Sequence, residues 1–166
     1  MSSIDTKKAE NRRLRFETIA QAKAEVETIL ASEKAGTCKR TGNWTVGQNF
    51  GHLASWIEWG FDGYPPSMGK PPWFVKIMVK FMKKKIFDGP AMLGFRLPHA
   101  PEGTFGMEDV PADAAAGRLL TGLSRLEQGS PKDPNPAFGP MTHEEWKKLH
   151  LRHCEGHLGF LWPNAK

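Results

Sequence analysis

The segment EEWKKLHLRHCEGHLGFLW, residues 144–162, places three histidines among large apolar side chains at helical spacing. At about 100° per residue, His153 and His157 both fall within about 60° of His150, in the same stripe as Trp146. A stripe of this kind normally faces the core of a helical protein. Burial disfavours a charged imidazole, so we expect these rings to be neutral, with one donor and one acceptor each to satisfy.

A divalent metal ion is one solution to that requirement, because it binds the lone pair of a neutral imidazole. His153 and His157 are four residues apart, so they stack one turn above the other and can converge on one ion. The zinc-protease motif needs a glutamate directly after the first histidine, and Cys154 stands there. Glu155 lies on the opposite side of the helix, with Arg152, so it cannot serve as the base.

A third ligand has to come from elsewhere, since catalytic metal centres usually take three protein ligands and leave one position free. His52 is the best distant candidate, because it lies in the middle of a helical pattern (43–63) on the same face as Trp56 and Trp59. The alternative stays open that these are packed histidines, since two histidines at this spacing on a helix are often a coincidence.

The remaining pattern predicts an all-α chain. Apolar residues recur at helical spacing in five segments, and no alternating β pattern of useful length occurs. Capping-box spacing at Thr45 and at Thr142 marks two helix starts. Two Pro/Gly-rich stretches, 89–109 and 130–140, are expected to be irregular connections. The predicted helices cover 7–32, 43–63, 71–87 (a shorter helix), 110–129 and 142–161.

Composition narrows the class of protein. The 166 residues suit one domain (1–166), with 1–8 as a loose N-terminal tail. A net charge of +5 without a groove-reading motif does not indicate a nucleic-acid-binding protein. No apolar run reaches the roughly 18–20 residues of a membrane span, and the N-terminus has no signal-peptide pattern. Two cysteines fit a reducing compartment, so we expect a cytoplasmic protein.

The helix over residues 73–87 leaves a second interpretation open. Its lysines and its aromatic side chains are typical of amphipathic helices that lie on anionic membranes. Packing of Trp73, Phe74 and Phe81 over the helical body explains the same pattern, so we do not expect membrane contact.

Two segments resemble a known superfamily. NWTVGQNFGHLASW (43–56) resembles the Trp-[Ser/Thr]-x-Gly-x-x-x-x-His-Leu segment of the DinB-like superfamily, and HLRHCEGHLGFL (150–161) resembles its closing helix, most closely in the DUF1569 branch. The resemblance implies an up-down-down-up four-helix bundle, here with one extra short helix and long Pro/Gly-rich loops. It also implies a metal held by His52, His153 and His157, with His150 as a neighbour that packs or hydrogen-bonds beside the site.

The resemblance also implies a chemistry. Characterised relatives in the superfamily are metal-dependent transferases and isomerases that use low-molecular-weight thiols, such as bacillithiol or mycothiol, on small-molecule substrates. The expected cofactor is a divalent metal, Zn or Ni first and Fe next, which activates a thiol or a water molecule. The alternative is a non-enzymatic protein that binds a metal or a membrane surface, or is a stress-related binding protein, and a homodimer is common in the superfamily.

Candidate pocket residues are less defined than the ligands. Gln48 and Trp56 lie near His52 on the second helix, and Arg96 lies in the loop 89–109, where it could hold a carboxylate of a thiol cofactor. Surface charge is the simpler explanation for Arg96, as for Arg40 and Lys70. One departure from the DUF1569 pattern is Asn135, at a loop position where relatives often have a histidine.

Overall fold

The computed structural model describes residues 4–94 and 103–165, and this part of the chain is mostly helical. Five α-helices and one small antiparallel sheet agree with the predicted all-α class. In chain order the elements are α1 (Ile19–Lys34), β1 (Lys39–Arg40), α2 (Val46–Asp62), a short 3-10 helix (Pro66–Met68), α3 (Trp73–Asp88), α4 (Ala112–Gln128), α5 (His143–Leu158) and β2 (Leu161–Trp162).

Capping boxes begin three of these helices. In each, a threonine side chain accepts from the third helical N–H, and the side chain at that third position accepts from the threonine N–H. The boxes predicted at Thr45 and Thr142 are confirmed. A further box, formed by Thr18 and Gln21, starts α1. The predicted start at Lys7 is therefore wrong, because the residues before Thr18 use their backbone groups elsewhere.

Those residues lie across the side of α5 that faces away from the histidines. The Phe16 N–H donates to a Glu155 carboxylate oxygen at 2.5 Å, and the Arg152 guanidinium donates to the Phe16 carbonyl. Arg152 and Glu155 also pair with each other at 2.9 Å. Farther upstream, the Arg12 N–H donates to the Gly159 carbonyl at 2.9 Å. This side of α5 is therefore covered, and Arg152 and Glu155 are only 6 % and 1 % exposed.

The core lies between α1, α2, α4 and α5, and the pairing of α2 with α4 is its most extensive contact. Gly47 permits a close approach, because a Cβ there would lie 2.0 Å from the Val110 carbonyl oxygen. The segment before α4 can therefore run along α2 and reach the face that carries His52. Large, fully buried core side chains include Phe50, Leu53, Ile57, Leu119, Leu123, Trp146 and Leu158.

Helix α3 corrects the sequence prediction in two ways. It spans 16 residues, as many as α1 and α5, so it is not a shorter helix. It packs against α5, yet Trp73, Phe74 and Phe81, which were expected to pack over the helical body, are exposed. The expectation failed because α3 has apolar residues on two sides, and the side with the half-buried Val75 and Val79 is the one turned inward.

The two ends of the described chain are held by hydrogen bonds. Helix α5 ends at Leu158, earlier than predicted, and β2 then pairs antiparallel with β1. Strands of two residues are too short to show an alternating pattern. At the other end, Ile4 exchanges hydrogen bonds with the Asn43 side chain at 2.8 and 2.9 Å. Among the described residues, no helix combines the length and apolarity needed to cross a membrane.

Candidate metal centre

Three histidines from two helices converge at one place. His52 projects from the middle of α2, and His153 and His157 project from the C-terminal half of α5. One ring nitrogen of each lies within 4.8 Å of the other two, and such a group could hold a metal ion. The Nε2 atoms of His52 and His153 are 3.0 Å apart. Two nitrogens bound tetrahedrally to one zinc ion at about 2.0–2.1 Å are separated by roughly 3.3–3.4 Å, so the observed spacing is a few tenths of an ångström shorter than shared ligation requires.

The His52 ring is oriented by a backbone carbonyl. Its Nδ1 lies 2.9 Å from the Phe105 carbonyl oxygen, which can only accept a hydrogen bond. Nδ1 therefore carries the proton, and the Nε2 lone pair points at the cluster. In the hydrogen bond between the two Nε2 atoms, His153 has to be the donor. As a metal ligand, His153 would carry its proton on Nδ1 instead.

The His157 ring is oriented by Asn49, a buried residue of α2. The Asn49 side-chain nitrogen donates to the Thr45 carbonyl at 2.9 Å, which leaves the amide oxygen to face His157. That oxygen lies 3.4 Å from His157 Nδ1, so Nδ1 is the protonated nitrogen and Nε2 is free to bind. A histidine ligand that donates its other N–H to a fixed oxygen is typical of metal sites.

Indole rings surround the cluster. Trp44 stacks on His157 with ring centroids 5.1 Å apart and an angle of 19° between the planes. The Trp56 ring meets the rings of His52 and His153 edge-on, with centroid distances of 6.0 and 5.9 Å. The Trp56 Nε1–H donates to the Phe105 carbonyl. His52 is buried, whereas His153 and His157 keep partial exposure. Two indole rings therefore form part of the wall of the site, and the two histidines of α5 are not fully buried.

Burial keeps the cluster neutral. Loss of water around the ring lowers the pKa of His52 to about 4, although its hydrogen bond to the Phe105 carbonyl acts in the opposite direction. The pKa values of His153 and His157 are well below the ordinary value, chiefly through burial and further through the charge of neighbouring histidines. All three rings therefore offer lone pairs at neutral pH, which is the form that binds a metal.

His150 and Gln48 make contacts other than those that join the three histidines. His150 is buried and stacks on Trp146 at 5.9 Å, and its Nε2 has no hydrogen-bond partner within residues 4–94 and 103–165. The Gln48 side-chain oxygen is used in the capping box of α2, where it accepts from the Thr45 N–H. Its role in lining a pocket stays a prediction.

The structure describes two of the three charged candidates. Arg96 lies outside the described residues, and Arg40 and Lys70 are exposed. Glu58 lies on another side of α2, where Arg118 of α4 binds its carboxylate at 2.6 and 3.1 Å.

Cys154 is fully buried in the core, and burial raises the pKa of its thiol to about 12. A thiol of this kind is an unreactive packing residue.

Sequence reasoning missed three groups that shape the site: Trp44, Asn49 and the Phe105 carbonyl. Asn49 stands three residues before His52, which places it on the same helix face, so its position could have been found. A backbone carbonyl leaves no sequence signal. Asn135, which the sequence analysis named as a departure from the DUF1569 pattern, donates to the Tyr64 hydroxyl at 3.1 Å, and the centroid of the Tyr64 ring lies 6.5 Å from that of Trp56. Asn135 thus supports the wall of the site from the loop before α5.

Comparison with known proteins gives one match. The model of the family described as "Protein of unknown function (DUF1569)" matches residues 8–164. The chain belongs to the DUF1569 family. No curated protein and no solved structure matches it. The match extends from the segment before α1 to the end of β2, so all three histidines of this DUF1569 protein lie within it.

Proposed function

We propose that this DUF1569 protein is a metal-dependent enzyme whose His52, His153 and His157 hold one divalent cation. The observation that carries the proposal is the convergence of three neutral imidazoles from two helices. The donor set fits such an ion, because His52 and His157 each have their other nitrogen tied to an oxygen, of Phe105 and Asn49. Three imidazole ligands suit Zn or Ni, and also Fe.

A metal centre with only three protein ligands leaves a coordination position for water or a substrate, and the proposed chemistry takes place at that position. A cation held there lowers the pKa of a thiol or a water molecule and so makes it a nucleophile near neutral pH. The chain's own groups orient the ligands and exclude bulk water: Trp44 and Trp56 wall the cluster, and partial exposure at His153 and His157 leaves an approach for a small molecule. A transferase that uses a low-molecular-weight thiol, or a hydrolase, is the resulting reaction class.

The same proposal includes a DinB-like architecture. In it, α1, α2, α4 and α5 form an up-down-down-up four-helix bundle and α3 is an addition. Two facts support this arrangement: these four helices share the core, and the histidines come once from the second helix and twice from the last. DinB-like proteins have the same distribution of ligands.

Elemental analysis of the purified protein tests the metal site. We expect about one equivalent of a divalent metal in the wild type and none in the variant His153→Ala with His157→Ala. His52→Ala should lose most of its metal affinity as well. His150→Leu is the matched control, because it changes a buried histidine of the same helix that lies outside the cluster, and it should keep its metal. Equal metal content in the wild type and the double variant would contradict the site.

Activity is tested separately with the metal-loaded protein. A panel of small thiols is offered with an alkylating electrophile, and ester substrates are offered without a thiol. We expect turnover in one of these assays that is lost in the double variant and kept in His150→Leu. If the metal binds at the three histidines and neither assay shows metal-dependent turnover, the enzyme proposal is wrong and a non-enzymatic metal-binding protein remains.

A further inference from the structure

An exposed apolar surface lies on α3. Of the seven large apolar side chains that are exposed in the described residues, five belong to this helix. They are the outer face of α3: Trp73, Phe74, Ile77, Met78 and Phe81. Trp73 is 74 % exposed and Phe81 is 85 % exposed, so these rings stand almost free of the protein. Exposed apolar patches of this kind usually mark a surface that contacts something else.

The outer face is continuous and points away from the protein body. At about 100° per residue, its five residues span about 140° of the helix circumference. Val75, Val79, Met82 and Ile86, which are half-buried, lie on the opposite side, towards α5. The outer face is therefore not an edge of the core that happens to be uncovered.

Contacts to the body concentrate at the C-terminal half of α3. Phe87 is the one buried residue of the helix and packs against Phe138. Lys83 pairs with Glu145 at 2.7 Å, and Asp88 pairs with Lys148 at 2.7 Å. The helix is thus fixed at one end, and the aromatic side chains stand at the other.

Lysines accompany the outer face. Lys76 and Lys80 border one edge of it, and Lys84 and Lys85 follow it towards the C-terminus. Each of these four is exposed and has no acidic partner within salt-bridge distance in the described part of the chain. The sole acidic residue of α3 is Asp88, which already pairs with Lys148. Four solvent-exposed positive charges beside an exposed apolar strip match a surface that is both anionic and apolar.

We propose that α3 docks this protein onto the surface of an anionic lipid bilayer. The outer face enters the boundary between headgroups and acyl chains, and the lysines lie at the level of the lipid phosphates, which their flexible stems allow. A second copy of the chain fits the surface less well, because pairing two α3 helices would bring eight uncompensated lysines together. A helix of this size lies in the membrane plane and does not cross it.

Vesicle flotation tests the proposal with the full-length protein. Vesicles of phosphatidylcholine alone are compared with vesicles that also contain about one third phosphatidylglycerol. We expect the wild type to float with the anionic vesicles only, and to be released as salt is raised. Equal flotation with both kinds of vesicle, or with neither, would overturn the proposal.

Matched variants assign the binding to α3. The variant Trp73→Ser, Phe74→Ser, Phe81→Ser should lose flotation, whereas Ile4→Ser with Met92→Ser, which changes exposed apolar residues elsewhere, should keep it. Retained flotation of the triple variant would contradict the proposal.

A second set of variants tests the charges. Lys76→Glu, Lys80→Glu, Lys84→Glu should bind on the order of a hundredfold more weakly. A charge-matched control, Lys7→Glu, Lys8→Glu, Lys132→Glu, should bind much better than that variant. Light scattering tests the alternative that a second copy of the chain covers the outer face. A wild-type dimer that the serine variants convert to a monomer, together with absent flotation, would show self-association instead of membrane binding.

Discussion

Helices α5 and α3 lie against each other and distribute polar and apolar groups in opposite ways. Helix α5 buries polar side chains on two sides, with histidines on one and the Arg152–Glu155 pair on the other. Helix α3 exposes apolar side chains and keeps one residue, Phe87, buried. Both helices depart from the usual rule that polar groups face water and apolar groups face the core.

Each exception to this rule in α5 and α3 points to a binding partner for the side chains involved. The chain supplies some of these partners, and others lie outside it. A buried polar group without a partner is costly, so most such groups are satisfied. The backbone of Phe16 supplies partners for one carboxylate oxygen of Glu155 and one guanidinium nitrogen of Arg152, while the other Glu155 oxygen and two Arg152 nitrogens have no partner in the described residues. For His52, His153 and His157 we propose a metal ion. For the outer face of α3 we propose a lipid surface.

The largest expected effect comes from breaking the ion pair between Arg152 and Glu155 on α5. Arg152→Met leaves Glu155 buried without its cation and leaves the Phe16 carbonyl without its donor. Removal of one member of a buried ion pair typically costs about 3–5 kcal/mol. We expect a loss of that size in the free energy of unfolding, measured by urea denaturation of the metal-free protein.

The double variant Arg152→Met, Glu155→Gln is the control for this effect. A glutamine keeps an oxygen for the Phe16 N–H but removes the buried charge. It should therefore recover part of the stability that Arg152→Met loses. A single variant as stable as the wild type would show that the pair does not hold the segment before α1.

The start of α1 illustrates what the sequence could not predict. Leu14 continues the apolar spacing of α1, so local periodicity extends the helix backwards. The competing signal is the binding of Phe16 by Arg152 and Glu155, residues far away in the sequence. By contrast, α2 could be predicted, because the box at Thr45 and the face that carries His52 are both local patterns.

The second prediction concerns metal removal. A ligand that binds only the folded state stabilises it by about 4 kcal/mol when present at about 1,000 times its dissociation constant. Chelation should therefore lower the melting temperature of the wild type, and added Zn or Ni should restore it. The melting temperature of His153→Ala with His157→Ala should not respond to metal. A response of equal size in that variant would place the binding elsewhere.

The third prediction concerns His150, which should make the free energy of unfolding depend on pH. Burial lowers the pKa of His150 from 6.5 to about 4. Between these values the unfolded chain binds a proton that the folded protein does not, so the free energy of unfolding falls as pH falls from about 6.5 to about 4. At full size this contribution is roughly 3 kcal/mol.

His150→Leu should remove this contribution and make the stability of the metal-free protein less dependent on pH in that window. The other buried histidines keep the remaining slope. Urea denaturation at several pH values measures the difference. Identical slopes in wild type and variant would mean that His150 takes up its proton in the folded protein as readily as in the unfolded chain.

Helix α3 shows a different limit of sequence analysis. Its pattern indicated an amphipathic helix with lysines, and the structure agrees. The sequence analysis expected the side with Trp73, Phe74 and Phe81 to pack against the protein, but periodicity does not say which apolar side of a helix meets the body. That choice depends on long-range contacts, such as Lys83 with Glu145 and Phe87 with Phe138, whose partners lie some 50 to 60 residues away in the sequence.

The smallest expected effect distinguishes the two sides of α3. Phe81→Ala removes a ring that is 85 % exposed, so it should change the free energy of unfolding by less than about 0.5 kcal/mol. Phe87→Ala is the matched control on the same helix, because Phe87 is 4 % exposed, and it should cost about 3–5 kcal/mol. A large loss from Phe81→Ala would mean that the outer face packs against the protein. It would then need no lipid surface to cover it.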